Sequence, residues 1–197
     1  MKESRVKITG MNWGLTNIYV DSRAAFAVAN GTAQFPFRDL RSALTLCPEE
    51  VEFLAPGVPD TRTIQMNGFY KDLVIDRVCA IAGVYGLKEV SALAPLVILG
   101  GIGAVINLTR GPNGVLSVNG VNLPAPKFVG PCQGDLTNVT ITEGMTLEGG
   151  GLLNLTNCNV YGNFTVPAEW TVRAFNTFFD GTVTGDIELN NSVIKGT

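Results

Sequence analysis

The sequence predicts an all-β fold, a solenoid in which short strands stack coil upon coil. Asparagine recurs in the tail half at a constant step of 19 residues: Asn119, Asn138, Asn157 and Asn176. Asn191 follows after a shorter step of 15, and short apolar stretches such as Leu155–Val160 surround these positions. A period near 20 residues, built from short strands and turns, is typical of solenoid proteins.

The composition argues for a structural, weakly charged protein. Apolar residues make up 46 % of the 197-residue chain and charged residues 16 %, well below the ~25 % usual in soluble domains. Much of the surface is therefore expected to be neutral or covered by other subunits. The net charge is −3 and the chain contains no run of Lys or Arg, which argues against a nucleic-acid partner.

The sequence also argues against secretion and membrane insertion. The chain opens on charged residues with no apolar segment behind them, so we expect synthesis in the cytoplasm without a signal peptide. The longest apolar run, Leu93–Leu108, spans 16 residues and contains Pro95. A membrane-spanning helix needs about 20 residues. We interpret the run as two buried strands joined by a turn at Gly100–Gly103.

The four cysteines, Cys47, Cys79, Cys132 and Cys158, form no CxxC pair, and the chain contains no histidine. Zinc sites of the usual spacing are excluded. Cys79 and Cys158 lie in apolar stretches, so we expect small buried groups and reduced thiols.

The N-terminal part divides into an arm, 1–16, and a strand–helix–strand unit, 17–57. The arm holds a short alternating strand, Val6–Ile8, and Trp13; it is either an ordinary terminal extension or an arm that docks on a neighbouring subunit. Asn17–Asp21 reads as a strand. Pro36 suits the first turn of a helix whose apolar face comprises Phe37, Leu40, Ala43 and Leu44. Pro48 ends that helix, and Val51–Gly57 forms the next strand.

This order of segments resembles the N-terminal cap of the pectate-lyase-like right-handed parallel β-helix superfamily. The residues that carry the resemblance are Ile18–Asp21, Gly31–Thr32, Pro36–Leu44 and Val51–Gly57. The chain departs from the family after Gly57, where Val-Pro-Asp replaces an aromatic-rich segment. The resemblance implies a single-stranded right-handed β-helix closed by a short N-terminal capping helix, with residues 58–197 as coils of the same continuous domain.

Residues 58–197 contain candidate strands at Thr63–Met66, Leu73–Ile75, Cys79–Ile81, Leu96–Leu99, Ala104–Leu108 and Val115–Val118, followed by the asparagine-marked coils. Glycine and asparagine at the corners supply positive φ angles. Stacked asparagines are expected to bond side chain to backbone between coils. Leu123–Pro131 carries three prolines, which donate no ladder hydrogen bond, so we predict a loop that leaves the wall.

No pattern predicts a catalytic, cofactor-binding or metal-binding residue. Asp72 and Asp76 lie about 13 Å apart along one predicted strand, wider than a glycosidase pair. Asp180 and Asp186 flank a turn and fit a turn-forming role. The basic residues are scattered: Lys71, Arg77, Arg110 and Arg173. Trp170, Tyr161 and Phe178–Phe179 either form a sugar-stacking face or fill the interior, the more frequent use of such groups.

Two further patterns fit structural roles. The Asn-x-Thr sequences at Asn107, Asn138, Asn154 and Asn163 match turn-and-strand composition rather than glycosylation sites. The glycine-rich Gly100–Gly103 lacks the Lys-Ser/Thr and the helix that a phosphate loop requires.

Nothing after Asn191 resembles a C-terminal cap, so we expect partners to cover an open end: further copies of the chain or other virion proteins. The resulting hypothesis is a non-enzymatic virion protein, a capsid decoration or cement protein or a tail component. The alternatives are a carbohydrate-binding or adhesive module and a polysaccharide-degrading tailspike-type enzyme, both of which would have a polysaccharide as partner.

Overall fold

The computed structural model describes residues 17–25, 29–49, 53–55, 58–59, 62–99, 104–105, 107–109 and 115–196. Over these residues the chain is mostly strand and forms a parallel β-solenoid of about six turns, which confirms the predicted all-β fold class. The predicted arm at 1–16 lies outside the described residues, as does the predicted turn at Gly100–Gly103.

The largest sheet, wall 1, runs the length of the solenoid and is parallel throughout. Numbered along the chain, its strands are β1 (Asn17–Asp21), β4 (Arg62–Ile75), β5 (Cys79–Ala92), β6 (Leu96–Leu99), β9 (Val115–Asn119), β12 (Cys132–Thr137), β15 (Gly151–Thr156), β18 (Trp170–Phe175) and β21 (Glu188–Asn190). A short strand, β7 (Ala104–Val105), pairs with the far end of β5.

Two further parallel walls complete the coils of the tail half. Wall 2 consists of β10 (Asn122–Leu123), β13 (Thr140–Ile141), β16 (Asn159–Tyr161), β19 (Phe178–Asp180) and β22 (Val193–Ile194). Wall 3 consists of β8 (Asn107–Thr109), β11 (Lys127–Val129) and β14 (Thr146–Glu148). In the coils after β14, β17 (Phe164–Thr165) pairs with β20 (Val183–Thr184).

One column of inward-facing residues, the central column, shows how the coils stack. Its members are in register from strand to strand of wall 1: Ile18, Ile64, Ile81, Ile98, Val118, Leu136, Leu155, Ala174 and Leu189. All of them are buried except Leu189. Because side chains alternate across a strand, the residues between them face outward, which explains the buried–exposed pattern of β18.

The interior also accommodates aromatic groups where a neighbouring coil supplies a small residue. Phe128 is fully buried, and a Cβ at Gly134 would lie only 3.2 Å from its ring. Trp170 packs edge-on against the same ring at a centroid distance of 6.4 Å. Gly134 therefore makes room for Phe128 inside the solenoid.

The N-terminal edge of wall 1 is covered by the segment that follows β1. The Tyr19 N–H donates to the Gly31 carbonyl, and the Tyr19 carbonyl accepts from the Phe37 N–H. The backbone N–H of Asp21 donates to the Phe37 carbonyl at 2.9 Å. Beyond it, a five-residue helix, α1 (Leu40–Leu44), buries Leu40, Ala43 and Leu44.

The capping helix is not confirmed in the form predicted. Phe37 pairs with Val20 in a β-bridge instead of entering the helix, and Pro36 precedes that bridge. Asp39 is the N-cap, since its carboxylate accepts from the Ser42 N–H at 2.9 Å. The backbone N–H and C=O of Phe37 both bond to β1, so neither is available for a helical turn.

The tertiary structure corrects two further predictions. Within the predicted strand at 51–57, the described residues form β2 (Phe53–Ala55), which pairs antiparallel with β3 (Val58–Pro59) and not with a parallel wall. Leu123–Pro131 is not a loop outside the wall, because β11 belongs to wall 3. Pro124 and Pro126 lie between strands, where their carbonyls accept from Glu143 and Thr146 of the next coil and no proline N–H is needed.

The other predicted strands that fall within the described residues are present. Asn17–Asp21 forms β1, and Leu96–Leu99 forms β6 with the same bounds. The candidates at Thr63–Met66 and Leu73–Ile75 merge into the single long strand β4, and Cys79–Ile81 opens the equally long β5. The length of these two strands shows that the front coils are built differently from the asparagine-marked ones.

Candidate functional site

Asparagine occupies the corner between wall 1 and wall 2 in the tail coils. The φ angles of Asn138, Asn157, Asn176 and Asn191 lie between 48° and 53°. Asparagine tolerates this left-handed conformation better than most residues with a Cβ. Asn119 differs, since it ends β9 opposite Thr137, and Gly120 with a φ of 69° turns the corner instead. The corner prediction is confirmed at four positions and shifted by one residue at the first.

The corner side chains form a ladder on the outside of the solenoid. Asn138 donates through Nδ2 to Oδ1 of Asn119 at 3.1 Å. The same bond links Asn157 to Asn138 at 3.4 Å, Asn176 to Asn157 at 3.3 Å, and Asn191 to Asn176. All five side chains are exposed. The bonds therefore run from side chain to side chain at the surface, whereas bonds to the backbone inside the turn were predicted.

A second, internal stack follows the corner residues and was not predicted. The positions directly after the last three corners hold Cys158, Thr177 and Ser192. The Thr177 hydroxyl is buried, lies 3.0 Å from the Phe175 carbonyl and accepts from the Cys158 N–H at 3.4 Å. The sequence signal was the small polar residue that follows each of these corner asparagines.

The two ends of this stack bond in the same way. The Cys158 thiol lies 3.4 Å from the carbonyl of Leu136, and burial raises its pKa, so the thiol stays protonated and donates. The Ser192 hydroxyl lies 3.0 Å from the carbonyl of Ala174 and accepts from the Thr177 N–H at 3.0 Å. The stack thus satisfies backbone groups of three successive coils.

The acidic residues considered as catalytic pairs have separate surroundings. Asp72 is exposed and has a φ of 53°, which places it at a backbone irregularity within β4. Asp76 is exposed and lies 4.0 Å from the Arg77 guanidinium. Asp180 lies 3.9 Å from Lys195 Nζ, and Asp186 is exposed.

Basic side chains pair with acids of neighbouring segments. Arg173 Nε donates to Glu188 at 2.8 Å, from β18 to β21. Lys127 of β11 lies 2.7 Å from Glu148 of β14. Arg77 lies 2.7 Å from Glu49. Lys71 is exposed, and Arg110 lies outside the described residues. These pairs connect coils and do not converge on one point.

The aromatic residues divide between the interior and the surface. Trp170 and Phe179 are buried, and Phe179 stacks on Phe164 at a centroid distance of 5.9 Å. Tyr161 points outward from wall 2, and Phe178 is half-buried. The interior role is therefore confirmed for two of the four aromatic groups.

The Asn-x-Thr asparagines described in the structure have structural contacts. Asn154 donates to Asp135 Oδ1 at 2.7 Å, and Asn163 Oδ1 accepts from the Thr182 N–H at 2.7 Å. Asn138 belongs to the corner ladder.

A shallow groove lies at the N-terminal edge of wall 1, where β1 meets Pro36. Arg23 hydrogen-bonds to the carboxylate of Asp21 and lowers its pKa. Asn67 donates to the same carboxylate at 3.1 Å, and the Tyr70 hydroxyl donates to the Asn67 carbonyl at 2.8 Å. Burial raises the pKa of Tyr70. The groove is open and its charges are paired, so it favours no particular ligand.

The last coil exposes residues of the solenoid interior. Leu189 continues the central column above Ala174, yet it is 44 % exposed. Ile194 continues the column of Phe179 in wall 2 and is half-buried. Val193, on the outer side of the same strand, is 58 % exposed. Leu189, Ile194 and Ile187 define the end face, an apolar surface of the last described coil.

Comparison with known proteins returned no matching family model, no matching curated protein and no matching solved structure. The residues that the structure describes contain no helix long and apolar enough to cross a membrane. They also contain no cluster of three or more metal-ligating side chains. The end face is the candidate functional site, because Leu189 faces the interior of the solenoid and is nevertheless exposed.

Proposed function

We propose that this chain is a non-enzymatic structural protein of a virus or phage particle, a capsid decoration or tail component, which assembles with copies of itself through the end face. The observation that carries the proposal is the 44 % exposure of Leu189, which faces the interior of the solenoid. Its counterparts in the preceding coils are buried. Burying a leucine side chain in full contributes about 1.5–3 kcal/mol, so covering the 44 % that is exposed would contribute about 1 kcal/mol.

The edge of β21 supports the same proposal. Among the described residues, β21 pairs with β18 alone, so the N–H and C=O groups of its other edge are free to pair with a further strand. Proteins usually protect such edges with charges, bulges or a covering segment. At the opposite end of wall 1, the segment 31–37 provides that cover. This difference between the two ends favours association at the end face.

The arrangement of the charges supports a structural role over catalysis. The paired side chains Arg173–Glu188 and Lys127–Glu148 join neighbouring coils and fix one coil to the next. The setting in a particle rests on the solenoid fold together with the resemblance of residues 17–57, since β-helices of this kind are frequent in phage tails and adhesins.

The oligomeric state of the purified protein tests the assembly. We expect light scattering to show a defined oligomer for the wild type and a monomer for Leu189→Lys, because a buried lysine would be desolvated without a partner. Thr171→Lys is the matched control, since Thr171 is exposed on the outer side of β18. A wild-type monomer at about 100 µM, where contacts stronger than about 5 kcal/mol persist, would contradict self-association.

Two observations test the remaining parts of the proposal. A capsid or tail gene beside the coding gene is expected, and a neighbourhood of polysaccharide-utilisation genes would argue against a particle protein. Incubation with acidic polysaccharides should release neither unsaturated products nor reducing ends. Release of either would identify an enzyme, and glycan-array binding without turnover would identify an adhesive module.

A further inference from the structure

Two cysteines that are far apart in sequence lie on neighbouring segments near the front of the solenoid. Cys47 follows α1, and Cys79 is the first residue of β5. Both side chains are buried, with 4 % and 1 % exposure. Cys132 and Cys158 lie in later coils, in β12 and at a corner.

The flanking residues hold the two segments side by side. The Val78 N–H donates to the Pro48 carbonyl at 2.9 Å. Glu49, the residue after Pro48, pairs with Arg77, the residue before Val78, at 2.7 Å. Cys47 precedes Pro48, and Cys79 follows Val78. These two contacts hold 47–49 and 77–79 side by side in opposite directions, which makes the two buried cysteines neighbours across the segments.

We propose that Cys47 and Cys79 are a latent disulfide pair, a covalent modification site that ties the segment after α1 to β5 when the protein meets a disulfide oxidant. This inference does not rest on the proposed function. The oxidant class is a low-molecular-weight disulfide such as glutathione disulfide. Both thiols lose a proton, their sulfurs form one S–S bond, and the two electrons break the S–S bond of the oxidant, which leaves as two thiols.

The surroundings of the pair keep it reduced until an oxidant gains access. The hydrogen bond from Cys47 and then burial raise the pKa of Cys79 well above its ordinary value. Because the thiolate is the attacking species, we expect slow oxidation of the folded protein at neutral pH. Oxidation should be faster during refolding, when the thiols are accessible.

The test is equilibrium with mixtures of reduced and oxidised glutathione, starting from the folded protein at alkaline pH and, in parallel, from protein refolding in the same buffer. We expect peptide mapping under non-reducing conditions to show a Cys47–Cys79 link within one chain. The expected ratio of disulfide to dithiol is on the order of 10²–10³-fold higher for the folded chain than for the chain in denaturant, since closing a loop of this size stabilises the fold correspondingly.

Variants and thermal unfolding complete the test. Cys132→Ser, which leaves both thiols in place, should form the link as the wild type does, whereas Cys47→Ala should not. The oxidised wild type should melt about 5–15 °C above the reduced protein. The proposal is overturned if both cysteines remain alkylatable after refolding in oxidised glutathione, if the link maps to Cys132 or Cys158, or if the folded chain favours the disulfide no more than the denatured chain.

Discussion

The corner asparagines combine two roles at the residue scale, a backbone role and a side-chain role. Each adopts a left-handed conformation, and each side chain bonds to the next asparagine of the ladder. The ladder bonds are exposed, where hydrogen bonds contribute little net stability. The backbone conformation should therefore dominate the energetic contribution of a corner asparagine.

Substitution of Asn157 separates the two roles. Asn157→Ala should lower the free energy of unfolding by about 1–2 kcal/mol, because a Cβ without a local hydrogen bond disfavours the left-handed region. Asn157→Gly removes the same ladder bonds but accepts a φ of 53°, so its stability should stay within about 0.5 kcal/mol of the wild type. Urea denaturation measures both. An equal loss in the two variants would show that the ladder bonds dominate instead.

The internal stack depends on the Thr177 hydroxyl. Thr177→Val keeps the side-chain shape but leaves the Cys158 N–H without this buried acceptor, which should cost about 1–3 kcal/mol. Thr177→Ser is the control, since it retains the hydroxyl and loses one methyl group. Chemical denaturation of both variants would contradict the role of the hydroxyl if the valine variant were the more stable one.

At the element scale, α1 and the segment before it form the covering unit at the front of the solenoid. The helix is one and a half turns long, too short to be stable in isolation, so its packing against β1 must stabilise it. Leu40, the first residue of α1, is one of the three residues that the helix buries.

Leu40→Asp should prevent soluble folding. An unpaired carboxylate in this buried position costs several kcal/mol, a large fraction of the 5–15 kcal/mol stability typical of a domain. Arg41→Asp is the matched control on the exposed side of the same helix and should remain soluble. Soluble expression and circular dichroism compare the two. A folded Leu40→Asp protein would contradict the covering role of α1.

At the scale of the whole molecule, each coil packs mainly on its two neighbours, so stability should follow the position of a residue along the central column. Leu155 has a coil on both sides, whereas Leu189 has Ala174 on one side and is largely exposed on the other. The same substitution should therefore have different costs at the two positions.

Leu155→Ala should cost about 2–5 kcal/mol, as is usual for a fully buried leucine. Leu189→Ala should cost less than about half of that in dilute protein, because 44 % of the side chain is already in contact with water. Denaturation at low protein concentration measures both. An equal cost at the two positions would indicate that Leu189 is covered in the isolated chain.

The asparagine period and the alternating strands are sufficient to predict the stacked coils, because turn geometry and side-chain alternation depend on residues that are close in sequence. The 17-residue steps from Ile64 to Ile81 and Ile98 carry a similar signal for the front coils. The corner predicted at Asn119 lies one residue later, at Gly120, because glycine adopts the left-handed conformation as readily as asparagine does.

The sequence by itself determined the solenoid, the corner residues and the burial of the cysteines of the apolar stretches, because each depends on residues close together in the chain. Only the tertiary structure decided that Phe37 pairs with β1, that 123–131 contributes a strand to a wall, and that the segments of Cys47 and Cys79 lie side by side. These features depend on contacts between segments tens of residues apart. The hydrogen bonds and packing between these distant segments outweigh the local conformational preferences of the residues, and a short stretch of sequence does not reveal which distant segment will be the partner.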